Sequence, residues 1–170
     1  MLNILIYVSI AKGSIMTNQE KFMKQALKEA EKACQKEEIP VGAVIVKDGK
    51  IIAKGHNLKE TSNMATGHAE ISAINKASKK LKSWRLSGCE MYITLEPCAM
   101  CAGAIIQSRI KKVYIGTMDE KTGACGSVLN LLEYKFNHRV EAEYGILQKE
   151  CEYILKEFFR KLRDKPAKPM

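Results

Sequence analysis

The residue types most able to do chemistry in this chain stand in two short clusters, His68-Ala69-Glu70 and Pro97-Cys98-Ala99-Met100-Cys101. One imidazole and two thiols form a mixed donor set that suits zinc. A structural zinc site closes its tetrahedron with four protein ligands, whereas a catalytic site keeps three and leaves the fourth position for water. His68, Cys98 and Cys101 make three. Two thiolates and a neutral imidazole would leave a Zn²⁺ site of zero formal charge, and water completing it loses its proton near neutral pH. That chemistry is hydrolysis. Glu70, two residues from His68, is the residue to move the proton, taking it from the water and passing it on to the substrate. Other roles fit the same residues: Glu70 capping its own helix, or the CxxC serving a structural metal or a redox couple.

These side chains need elements to hold them, and both motifs fall where a helix begins after a strand or loop. A helix N-terminus carries partial positive charge and unpaired N–H groups, which favour the thiolate form of Cys98 and Cys101, and Pro97 suits the turn that starts such a helix. In mid-helix, a spacing of two would point His68 and Glu70 to nearly opposite sides. In the first turn both reach over the helix end toward a common point.

The remaining pattern supplies the scaffold. Thr17 and Glu20 have capping-box spacing, and Phe22, Met23, Ala26, Leu27, Ala30, Ala33 and Cys34 recur with helical period, predicting a first helix up to Glu38 that Pro40 ends. The run Val41 to Val46, then Asp48-Gly49, then Ile51-Ile52-Ala53, predicts a tight antiparallel hairpin. Ile71, Ile74, Ala77 and Leu81 mark a helix, 91–95 a covered strand, 98–108 a helix and 113–115 another covered strand. Alternating helix and strand favours parallel pairing with helices on both faces. Beyond lie a loop at 117–126, a short helix at 128–132, an edge strand near 139–143 and a long helix at 146–162. The expected fold is an α/β class, three-layer α/β/α sandwich with a mixed five-stranded sheet.

At 170 residues the chain suits one domain, expected over residues 16–165. The hydrophobic and charged fractions of 46% and 28% are ordinary for a globular protein. No apolar run approaches the roughly 20 residues of a membrane span, so no membrane partner is expected. Residues 1–15 lack the basic leader and cleavage site of a secretory signal, and Met16 precedes the helix cap directly, so they are expected to be a disordered or mis-assigned extension. Residues 166–170 are expected to form a flexible tail. Six cysteines in a chain this long do not make a disulfide scaffold, which points to the cytoplasm, and Cys34, Cys89, Cys125 and Cys151 are expected to be small buried apolar residues. The net charge of +9 points to a polyanionic partner. It is concentrated in Lys76, Lys79, Lys80, Lys82 and Arg85, and again in Arg109, Lys111 and Lys112.

HxE followed by PCxxC resembles the signature of the zinc-dependent nucleoside and nucleobase deaminases, whose fold is the cytidine deaminase-like sandwich. The likeness extends through Pro40-Val41-Gly42-Ala43-Val44, Gly55-His56-Asn57, Thr66-Gly67-His68-Ala69-Glu70, Leu95-Glu96-Pro97-Cys98, Asp119-Glu120-Lys121-Thr122-Gly123 and Asn137-His138-Arg139-Val140 to Phe158-Phe159-Arg160. Over this length the chain is similar to the bacterial tRNA adenosine deaminases. The resemblance implies hydrolytic deamination of adenosine to inosine at the wobble position of a tRNA anticodon, chiefly in an arginine tRNA, by a homodimer with one zinc ion per subunit. It implies His68, Cys98 and Cys101 as zinc ligands and Glu70 as the general acid and base. Asn57, Asp119, Lys121, Phe158, Phe159 and Arg160 would contact the RNA, with aromatic faces for stacking and Arg160 for phosphate. Gly67 stands where alanine is usual and His56 where a larger aromatic is common. His56 is expected to be a supporting or surface residue.

Two rivals stay open on sequence grounds. A deaminase of a free nucleoside or nucleobase such as cytidine or guanine would use the same metal core, and an RNA-binding module would use the zinc only as a brace.

Overall fold

Thr17 starts the first helix as its spacing predicts. In the computed structural model, which describes residues 15–164, its hydroxyl accepts from the Glu20 N–H at 3.2 Å and the Glu20 carboxylate accepts from the Thr17 N–H at 2.8 Å. The expectations for residues 1–15, Ile15 aside, and for 166–170 fall outside these residues. Helix α1 (Asn18–Gln35) buries Met23, Ala26, Ala30 and Ala33. It ends short of Glu38: Glu37 turns the chain with a φ of 60°. Glu38 then leaves the helix to accept the N–H groups of Glu60 and Thr61 at 3.2 and 2.6 Å. Bonds to a distant segment outcompete one more helical turn.

Strands β1 (Gly42–Lys47) and β2 (Lys50–His56) pair antiparallel around Asp48-Gly49. Both turn residues have positive φ, 49° and 71°, the type I′ geometry that matches strand twist. Four residues form the short helix α2 (Lys59–Ser62), which periodicity does not reveal. Helix α3 (Ala69–Leu81), strand β3 (Glu90–Leu95), helix α4 (Ala99–Gln107) and strand β4 (Lys112–Thr117) follow in the expected alternation. The expected helix at 128–132 is instead a single 3₁₀ turn, Leu131–Glu133. The Asn130 side chain accepts the Leu132 N–H at 3.2 Å, closing a local turn where a helix would otherwise need its backbone. Strand β5 (Glu141–Tyr144) and helix α5 (Gln148–Asp164) complete the chain.

The five strands lie in the order β2-β1-β3-β4-β5, antiparallel on the β1 side and parallel for β3, β4 and β5. Alternation sorts them into two faces. Ala43, Ile45, Met91, Ile93, Val113 and Ile115 pack against α3 and α4. Val44, Val46, Tyr92 and Tyr114 pack with Met23, Ala26 and Cys151 of α1 and α5. These are the three layers. Gly55 lets α3 lie close on β2, since a Cβ there would collide with the Ala69 carbonyl and the Ala73 nitrogen. Cys89, Cys125 and Cys151 are fully buried as expected, while Cys34 is half-buried. Among the described residues, no helix is long and apolar enough to cross a membrane.

Candidate metal centre and active site

Helices α3 and α4 both start at one end of the sheet, and their N-cap residues are His68 and Cys98. Each N-cap has extended backbone, with ψ of 153° and 172°, which turns its side chain toward the other helix. Cys101 sits one turn into α4 and is fully buried. The His68 Nδ1 lies 3.7 Å from the Cys98 Sγ and 3.5 Å from the Cys101 Sγ. Tetrahedral zinc bonded to nitrogen and sulfur at its usual distances needs N···S edges of roughly 3.6 Å. All three donor atoms lie within 4.8 Å of one another. The residues present therefore fit a metal ion with three protein ligands.

The electrostatics agree with that fit. A hydrogen bond from Cys101, aided by His68, pulls the Cys98 thiol down to about 4, while the thiolate beside it and burial push Cys101 up. The opposite directions describe one proton shared by two sulfurs; a divalent cation between them lets both ionise. The hydrogen bond to Cys98 raises His68, with burial opposing. Glu70, second residue of α3, is 3% exposed, and burial pushes its carboxyl up to about 7. His68 and Cys101 both act on its carboxyl, which lies beside the three-ligand group without joining it. A carboxyl held near neutrality is suited to both taking and giving a proton.

The other sequence-selected residues divide into two groups. Asn57 follows β2 and is 8% exposed; its Nδ2 donates to Glu38 at 3.3 Å and to the Ile39 carbonyl at 3.4 Å. Asp119 is occupied by its own loop, accepting the Lys121 and Thr122 N–H groups at 2.9 and 3.3 Å and the Thr122 hydroxyl at 2.5 Å. Those bonds outweigh burial and hold its carboxyl below the usual range. Lys121 is brought against α5, where it lines a groove with Leu155, Lys156, Phe159 and Arg163. Phe158 and Phe159 meet edge to face at 5.4 Å, Phe158 half-buried and Phe159 40% exposed. Arg160 points along the helix surface, paired with Glu157 at 2.9 Å and Asp164 at 3.3 Å. His56 is a supporting residue: its Nδ1 lies 2.9 Å from Glu29, itself 3% exposed.

Lys156, Arg163, Glu38 and Glu96 escaped the sequence reading as site residues. The two lysine and arginine positions share a face of α5 with Phe159, a signal present in the 3.6-residue period. The two glutamates are 1% and 3% exposed. Nothing local in sequence marks a buried carboxylate, although each stands directly before or close to a proline that opens a site segment, Pro40 and Pro97.

Residues 17–163 match the family model of the MafB19-like deaminases. Over 151 residues the chain is 51% identical to the tRNA-specific adenosine deaminase of Bacillus subtilis strain 168, covering 88% of this chain and 94% of that protein. It is 50% identical over 147 residues to the tRNA-specific adenosine deaminase of Aquifex aeolicus, covering 86% and 97%. A solved structure from a study of A-to-I editing by tRNA:A34 deaminases at the wobble position of transfer RNA superposes with a TM-score of 0.77 and 40% identity, over 79% of this chain and 99% of that one.

Proposed function

Because this chain belongs to the MafB19-like deaminases, and within them to the tRNA-specific adenosine deaminases, we propose that it converts adenosine to inosine at position 34 of a tRNA anticodon, chiefly of an arginine tRNA, with one zinc ion held by His68, Cys98 and Cys101. The observation that carries the reading is the buried Glu70 beside an imidazole and two sulfurs at tetrahedral spacing. Zinc, when bound, would supply a water acidic enough to attack at neutral pH. Glu70 would take one proton from the attacking water as the C6–O bond forms and pass it to the adjacent nitrogen of the purine ring, then take the remaining proton from the new C6 hydroxyl and deliver it to the exocyclic amine as the C6–N bond breaks, so that ammonia leaves. Burial keeps its carboxyl poised between the two states.

An anticodon-loop base can be splayed out toward a buried site of this kind, whereas a base within a duplex cannot reach it. Asn57 contacts the nucleoside from the end of β2. Lys121, carried on the loop that Asp119 shapes, and Phe159 on α5 take the flanking nucleotides, with Phe158 behind Phe159 as its edge-on support. Arg160 meets phosphate by exchanging its helix carboxylates. The working form is a homodimer in the cytoplasm, in keeping with a chain that has no disulfide among its described cysteines.

Incubation with an anticodon stem-loop carrying adenosine at the wobble position tests the proposal, inosine being read by nuclease digestion and chromatography. Inosine in the stem-loop supports it. Conversion of free guanine or cytidine with none in the stem-loop would overturn it.

A further inference from the structure

Glu96 has a place in the fold that the proton chemistry does not use. It directly follows β3, two residues before the candidate ligand Cys98, is 3% exposed, and receives four hydrogen bonds from one loop. Its Oε1 accepts the N–H groups of Cys125 and Ser127 at 2.8 and 3.0 Å, and its Oε2 accepts the Asp119 N–H at 2.9 Å and the Ser127 hydroxyl. An ionised carboxylate offers about four lone-pair sites, so this one is filled entirely by the loop. The main chain reinforces the join: the Ala124 N–H donates to the Pro97 carbonyl at 2.8 Å, and Cys98 and Gly123 form an isolated antiparallel bridge. At Gly123 a side chain would collide with the Glu96 carboxylate, so the loop lies directly on it.

The same loop carries Lys121 to the groove on α5, next to Phe159, Lys156 and Arg163. Asp119 links the two ends of this device, its N–H held by Glu96 and its carboxylate holding Lys121 and Thr122. We propose that Glu96 is a positioning residue for RNA: it fixes the 119–127 loop on the metal-ligand segment and thereby sets where Lys121 stands relative to α5. The proposal rests on the reading of this site as an RNA deaminase. Glutamine at this position would keep one carbonyl oxygen and turn an NH₂ group toward donors, leaving buried N–H groups without acceptors.

The test uses the full chain with Glu70→Ala, so that an anticodon stem-loop binds without turnover, and compares that parent with added Lys121→Ala, added Glu96→Gln, and both. Glu96→Gln is expected to weaken stem-loop binding roughly ten- to hundredfold through a misplaced loop, with zinc content unchanged. Adding Lys121→Ala to it is expected to cost nothing further, because the lysine is already out of place. Should Glu96→Gln fail to fold, Ser127→Ala removes only the hydroxyl donor, and its smaller loss is expected to overlap with that of Lys121→Ala in the same way. Undiminished binding by Glu96→Gln, or losses that simply multiply, would overturn the positioning role alone. Failure of the parent to bind the stem-loop would overturn the RNA reading with it.

Discussion

Glu70 is the side chain on which turnover depends in the proposed reaction, and its environment makes a separable prediction. Glu70→Ala should lower inosine formation by about 10²- to 10⁴-fold while zinc content, read by elemental analysis, stays near that of the parent. A carboxylate serving only as a cap or brace would lower stability without such a selective loss. Cys101→Ala should behave differently, losing zinc and turnover together, because a site with one thiolate and one imidazole no longer balances the cation. The candidate ligand set was legible at this scale, since HxE and PCxxC together narrow the other roles that either motif alone allows. The burial of Glu70 was not: which polar side chain faces the interior depends on what packs above it, here the sulfurs of α4.

Helices α3 and α4 carry the candidate ligands at their starts, so their seating on the sheet sets the spacing of the three donor atoms. Gly55→Ala should force α3 off β2, costing about 1–3 kcal/mol of stability and lowering zinc affinity, read by thermal melting and by competition with a chelator. On the other wall, Glu38 ties the end of α1 to α2 and to Asn57. Burial works to raise its carboxyl, but hydrogen bonds from Thr61 and Glu60 prevail and hold it below the usual carboxylate range. A folded value below the unfolded one adds stability at pH above the unfolded value, and that stability is lost as pH falls through the folded value. Glu38→Gln should therefore be less stable at neutral pH by about 1–3 kcal/mol and show a flatter acid-side decline, measured by denaturation from pH 7 to 3. Periodicity located α1, α3, α4 and α5 to within a few residues of each end. It missed α2 and the early end of α1, because Glu38 reaches N–H groups of α2 more than twenty positions away.

For the whole molecule, two groups of basic residues stand apart from each other and bear on where RNA would dock. Helix α3 is thirteen residues long and starts at the metal centre, so its last turn lies ~20 Å away. Lys79, Lys80, Lys82, Arg85, Arg109 and Lys111 gather at that far end, where Arg85 and Arg109 stand 4.2 and 5.6 Å from the ring of Trp84. Lys121, Lys156 and Arg163 line the groove on the loop and α5 instead. Stem-loop binding should weaken steeply with salt, and removing Lys121 or Lys156 should reduce the slope of log affinity against log salt by about 0.7–0.9. Lys80→Ala with Lys82→Ala should leave that slope nearly unchanged, as measured by fluorescence anisotropy at several salt concentrations. A slope that follows the far-end lysines instead would place the RNA at the opposite end of α3.

From residue types and short spacings alone came the candidate metal-ligand set, the class of chemistry, the alternation of helix and strand, and the mixed sheet. Each depends on neighbours in sequence or on a periodic apolar pattern, which is local information. Tertiary structure alone decided that two glutamates hold the walls of the site, that Asp119 serves its own loop, that Lys121 meets α5, and that the conspicuous basic run lies far from the metal. Those outcomes are set by which distant N–H groups a buried carboxylate can reach and by where a helix of given length ends. Neither is written in the spacing of the residues concerned.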